Sequence, residues 1–322
     1  MSRTFPRRRF GLLALAAPAA FGQPPERVRI AVFNVASAIP HYIAAERGLY
    51  AAAGLNVEAV MLQAAPLIVQ AMIAGDVDAA SNLVTLEGAN INARRPNTAL
   101  YFALNGQNAE FRSEMFLVRA QFAATDLRGL RGARILSAPG PANMAAARAV
   151  LAAQGLLETR DYTLTEQPMG VHVGALTAGT FDAAYTLEPV ASIAIRQGAA
   201  RLLEAGVIAT HLIGRPTAQA FAAGACVTGR FLETRAPVAT RLAGAWRAAL
   251  DMLRADPTTR TLLTQHMNTP ADLAPTVPLP NLSMVSALTP QDVADFQKFV
   301  DFAVTQGVVR DPIQVSSFIR AL

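Results

Sequence analysis

The sequence predicts an α/β protein of two lobes, each a mixed and mostly parallel sheet flanked by helices. Three observations carry this. Short apolar strands alternate with helices that stop at glycine, the pattern of a sheet with helices on its faces. The chain has 322 residues, 52% hydrophobic and 16% charged, too long for one compact core and apolar enough for two. A segment also repeats loosely. Gly75, Asp78, Ala79 and Ala80 are echoed by Gly179, Asp182, Ala183 and Ala184, each reading as helix end, glycine turn, aspartate and two alanines.

The first strand spans residues 28–33, where β-branched and aromatic residues alternate with others. A polar loop, 34–38, leads to Pro40, which the first turn of a helix tolerates. Helical periodicity runs from 41 to 53 and stops at Gly54. A strand (56–61), a helix (66–74) ended by Gly75, a short strand (77–80), a helix (83–93) and a strand (98–104) complete the first unit. Ligands in such sheets bind outside the carboxyl ends of the strands, which points to the loops 34–41, 80–83 and 104–111.

A second unit opens with strand 115–118. A turn-rich connection (125–133) leads to strand 134–137, the loop 138–141 and an alanine-rich helix from about 142 to 154, stopped by Gly155. Strand 162–166, helix 171–178, strand 181–185, a helix ending at Gln197 and strand 200–203 follow. From about His211 the chain crosses back, and 217–228 reads as a pairing strand. The remainder reads as helical, at 238–254, 257–267 and 290–306, with Thr289 and Pro290 as cap and first turn of the last helix. Trp246, in a late helix, is expected in the core.

The net charge of +5 suggests nucleic acid, but its distribution does not. Arg3, Arg7, Arg8 and Arg9 precede the first acidic residue, and without residues 1–22 the chain carries 24 basic against 23 acidic residues. The rest of the arginines are scattered, so no nucleic-acid partner is expected. Arg7-Arg8-Arg9-Phe10-Gly11-Leu12 resembles a twin-arginine export motif. The apolar stretch 11–21 is too short for a bilayer, which needs about 20 residues, and small residues follow it. Residues 1–22 therefore read as a signal peptide, with a mature protein free in the periplasm. No cysteine near the cleavage point offers a lipid anchor. An amphipathic anchor that stays attached is the competing reading.

Enzyme motifs are wanting. His41, His172, His211 and His266 lack metal-ligand spacing, and no P-loop, Gly-x-Ser-x-Gly or Gly-x-Gly-x-x-Gly occurs. No cofactor, metal or catalytic residue is expected. Cys226 reads as a small buried hydrophobe, with a reactive thiol as the alternative.

Four segments in register resemble a known family. They are Pro40-His41-Tyr42 through Gly48-Leu49-Tyr50 with Gly54-Leu55, then Gly75-Asp76-Val77-Asp78, then Asp126-Leu127-Arg128-Gly129 with the loop 137–143 and Gly155-Leu156, and last Gly179 to Asp182 with Glu188-Pro189. Together they are similar to the periplasmic solute-binding proteins of ABC transporters for nitrate, taurine, aliphatic sulfonates and thiamine-precursor pyrimidines. The resemblance covers roughly residues 28–205. It implies a type II periplasmic-binding-protein fold, with lobe one at 23–105 plus 215–322, lobe two at 106–214, and two hinge strands between them. It further implies a monomer that closes on a small anionic or heteroaromatic solute and docks transiently on a membrane permease.

Under that resemblance the candidate ligand residues are these. The helix start after Pro139-Gly140-Pro141 presents free backbone N–H groups, which suit an anion, with Gly140 allowing close approach and Ala142 and Asn143 in the first turn. The loop at Asn34, Ser37, Ala38 and His41 leads to another helix start; Asn34 or Ser37 would otherwise satisfy loop backbone. Glu188 either accepts from a ligand N–H or caps the helix that follows. Asn82, Asn105, Tyr185 and Gln219 come from strand ends and presumed hinges. A small-molecule enzyme on the same fold and a periplasmic sensor subunit are the competing functions.

Overall fold

The structure, a computed structural model, describes Met1 and residues 24–322. The expected signal peptide and twin-arginine motif fall outside the described residues. The first unit runs β1 (Glu26–Val32), α1 (Ile39–Glu46), α2 (Leu49–Ala52), β2 (Leu55–Met61), α3 (Ala65–Ala74), β3 (Ala79–Val84), α4 (Thr85–Arg94) and β4 (Leu100–Gln107). The expected helix over 41–53 is thus two pieces. Gly48, at φ +70, takes a left-handed conformation that breaks the helix between them.

The chain then builds β5 (Glu114–Arg119), β6 (Arg134–Ser137), α5 (Pro141–Ala153), β7 (Thr163–Glu166), α6 (His172–Thr177), β8 (Ala183–Leu187), α7 (Val190–Arg196) and β9 (Ala200–Ala205). It returns as β10 (Ala220–Val227), α8 (Gly229–Thr234), α9 (Ala236–Ala255), α10 (Leu262–Met267), β11 (Asn281–Met284) and α11 (Pro290–Thr305). Thr289 caps α11 as expected, in a reciprocal capping box with Asp292. β11 corrects the reading of the last third as helical. Its four residues, Asn281-Leu282-Ser283-Met284, alternate polar and apolar but are too short a run to mark a strand alone, and they form an edge strand by pairing with β4.

Two sheets result, ordered β11-β4-β10-β3-β1-β2 and β7-β6-β8-β5-β9. Both are mixed, with four strands of each running the same way. Against them run β10 and the edge strand β11 in the first sheet and β5 in the second. β10 lies between β3 and β4 and is antiparallel to both, and β5 lies likewise between β8 and β9. Apart from β11, the orders match strand for strand: β2, β1, β3, β10, β4 against β7, β6, β8, β5, β9.

The repeated aspartate explains the match. Asp78 accepts from the Arg29 backbone N–H (2.8 Å) and donates its own N–H to the Arg29 carbonyl (2.8 Å). Asp182 does the same with Arg134 (3.0 and 2.8 Å). In both places the arginine guanidinium also donates to the carbonyl of the preceding turn glycine, Gly75 or Gly179, at 2.6 Å. The echo in the sequence is therefore a shared device that locks a helix end to the parallel strand pair beside it.

One apolar cluster holds α1, α9 and Trp246 against one face of the first sheet, and another holds α6 and α7 against the second sheet. A third runs between the two sheets and joins Phe33, Leu83 and Leu104 to Phe116, Ile135 and Tyr185. Cys226 is buried in that cluster, and burial raises its thiol pKa. The chain passes between the sheets twice, from β4 to β5 and from β9 to β10. The two passages touch at Gly206, at φ +69, where an added Cβ would stand 2.3 Å from the Ala109 nitrogen.

Candidate functional site

The carboxyl ends of β1, β3 and β4 and the first turn of α5 converge on a buried cavity of about 40 Å³. Its polar lining is Ser37, Asn82, Asn105, Gln107, Ser113, Glu114 and Asn143, and its apolar lining includes Phe33, Val35, Val84 and Leu187. A recess of about 20 Å³ continues past Ala142 and Phe299. Larger grooves of about 370 and 670 Å³ lie elsewhere. The first is at the amino-terminal edge of the first sheet, around Arg29, Arg95 and Arg230, and the second lies between α9 and β11. A groove of about 400 Å³ at the rim, with Glu87, Pro141 and Arg148, also touches both sheets' layers. The small cavity is the better candidate, because strand ends and buried side-chain amides meet there.

Four expected residues come together in it: Ser37, Asn82, Asn105 and Asn143. Asn82 is held in place, since its Nδ2 donates to the Phe33 carbonyl (2.8 Å) and Ser37 Oγ (3.3 Å) and its Oδ1 accepts from the Phe33 N–H (3.2 Å). Asn143 Nδ2 donates to the Pro139 carbonyl (2.7 Å). Asn105, 5% exposed, has no partner for its Nδ2.

Gly140 and Ala142 sit where the lobes meet. Gly140, at φ +106, holds a conformation open to glycine, and an added Cβ would lie 3.8 Å from Pro66 in the first turn of α3. The starts of α3 and α5 thus face one another. At the start of α5 the Ala142 N–H lies by the Glu87 carboxylate from α4 and opposes the rise in Glu87 pKa that burial causes.

The other expected residues stand outside the cavity lining, and all but Gln219 are engaged by nearer partners. Asn34 donates to the His266 carbonyl (2.6 Å) and accepts from Tyr42 Oη (2.9 Å). The Ala38 N–H is spent on the Val35 carbonyl. His41 packs by Tyr50 Oη (3.2 Å), and burial, with His266 nearby, lowers its pKa to about 4. Glu188 caps α7 through the Ser192 N–H and hydroxyl, both 3.0 Å, while its backbone carbonyl accepts from the Ala36 N–H (2.9 Å) across the lobes. Burial raises its carboxyl to about 7. Gln219 packs over Gly106 with its Oε1 unpartnered. Tyr185 stands behind the wall and donates to Glu114 at 2.5 Å.

Glu114 is the residue the sequence did not reveal. It opens β5 and is fully enclosed, accepting from Tyr185 Oη on one oxygen and from Gln107 Nε2 on the other. Burial raises its pKa to about 7, and the Tyr185 hydroxyl limits the rise. Its signal in the sequence was slight: a lone acid at a strand start after the polar run 108–113 reads as surface.

A family model described as the NMT1-like family matches residues 22–268, more than half of the chain. The chain belongs to the NMT1-like family. Solved structures agree with this NMT1-like protein's fold. The alkanesulfonate-binding protein SsuA from Xanthomonas axonopodis pv. citri, bound to MOPS, is similar at TM-score 0.71 and 19% identity, covering 93% of this chain and 99% of that one. The periplasmic nitrate-binding protein NrtA from Synechocystis PCC 6803 is similar at 0.70 and 14%, covering 91% and 84%. The desulfurization enzyme DszB is similar at 0.60 and 15%, covering 91% and 96%. The NMT1-like protein thus has the type II periplasmic-binding-protein fold. No curated protein sequence matches it. Among the described residues no helix is long and apolar enough to cross a membrane.

Proposed function

We propose that this NMT1-like protein is the extracytoplasmic solute-binding receptor of an ABC importer. In this reading it is exported by its twin-arginine leader and works as a monomer in the periplasm. It closes lobe one (23–105 plus 215–322) and lobe two (106–214) on a small organic solute, then docks transiently on a permease. The observation that carries the reading is the small cavity between the two sheets, where strand ends and side-chain amides meet, the sheets being joined among the described residues by two chain passages. Such a plan allows hinge closure around a ligand. The structural neighbours named for alkanesulfonate and nitrate binding support it.

The competing reading, an enzyme, takes its support from DszB. Calorimetry on the mature protein with sulfonates, nitrate, pyrimidines and carboxamides, followed by mass spectrometry of the recovered solute, separates the two. Saturable one-to-one binding with the solute recovered unchanged is expected, together with a smaller radius of gyration in solution scattering. A solute converted to a new product contradicts the receptor reading.

A further inference from the structure

We propose that the cavity selects an uncharged solute carrying a hydrogen-bond acceptor beside an N–H donor, the carboxamide class. Asn105 Nδ2 donates to the acceptor, and the Glu114 carboxyl accepts from the donor. This rests on the receptor reading above and narrows its ligand.

Three observations converge on it. First, Asn105 lines the cavity, and its Nδ2 is buried without a partner. Leaving a buried donor unpaired is costly, and a ligand acceptor would recover that cost. Of the other lining amides, Asn82 spends both N–H groups on Phe33 and Ser37, while Asn143 and Gln107 each have one N–H engaged, on Pro139 and on Glu114. Second, Glu114 accepts two hydrogen bonds, and a carboxylate has room for more.

Third, the charges are wrong for an anion. Among the described residues the cavity lining holds no Arg, Lys or His, and its one ionisable side chain is an acid. The start of α5, which would attract an anion, lies beside the chain's own Glu87, which shares a groove with Pro141. A sulfonate or carboxylate would therefore be desolvated beside another carboxyl with no side-chain cation to offset the cost. Phe33, Val35, Val84 and Leu187 supply apolar wall for the alkyl or aryl remainder of an amide.

The test is calorimetric titration of the mature protein with acetamide, propanamide and benzamide, each against its matched carboxylate and sulfonate. At least one amide is expected to bind about ten-fold or more tightly than both of its anionic counterparts. Asn105→Ala is expected to weaken that amide about ten-fold, the loss of one buried hydrogen bond. The comparison among wild-type ligands needs no variant, so it stands even if Asn105→Ala fails to fold. The proposal is overturned if a carboxylate or sulfonate binds more tightly than its amide. It is also overturned if no amide binds below about 10 mM, or if folded Asn105→Ala keeps wild-type affinity. One-to-one binding of a sulfonate more tightly than its amide would overturn this inference and leave the receptor reading standing, whereas hydrolysis of an amide to its acid would overturn the receptor reading.

Discussion

Burial lifts the Glu114 carboxyl from its ordinary 4.5 to about 7, and that shift ties the cavity to stability. The folded state holds the proton more tightly than the unfolded chain does. The group's contribution is therefore complete below pH 4.5 and is lost as pH rises through about 7, on the order of 3 kcal/mol if nothing else relaxes. Glu114→Gln removes that loss. Its melting temperature relative to wild type is expected to rise steadily between about pH 4.5 and 7, read by thermal unfolding across a pH series. A difference that stays flat with pH would show that Glu114 does not ionise in this window. At this scale legibility was uneven. Ser37, Asn82, Asn105 and Asn143 share the lining of the candidate cavity, as expected from a chain-order rule that places strand ends and a helix start at the cleft. Asn34, His41 and Glu188 met the same rule but turned to local partners. A single sequence does not show which way a loop side chain points.

The passages between the sheets carry the hinge, and Gly206 is their tightest point. Its φ is +69, and a Cβ placed on it would stand 2.3 Å from the Ala109 nitrogen, which leaves no room for a side chain. Gly206→Ala is expected to destabilise by at least about 2 kcal/mol, seen as a lower melting temperature. An unchanged melting temperature would mean that the two passages are free to part there. Elements whose ends are set by local chemistry were legible in the sequence. Glycines ended helices at Gly75 and Gly179, and Thr289 with Pro290 opened α11. Elements set by partners were not. β11 forms because β4 offers an edge, and β10 and β5 run antiparallel because the chain enters each sheet from the other.

At the scale of the molecule, the two sheets share one plan, and the paired locks Arg29–Asp78 and Arg134–Asp182 repeat across it. That plan was readable because the same turn must close the same strand pair twice. The facing starts of α3 and α5 put the cavity between the halves, where separation of the lobes would open it. The most direct test of this account is a crystal structure of the protein purified from its native source with no ligand added. The account predicts solute density between the sheets, against Asn105 and Glu114. A solute bound instead in the arginine-lined groove at the far edge of the first sheet, with the space between the sheets filled by side chains, would contradict it.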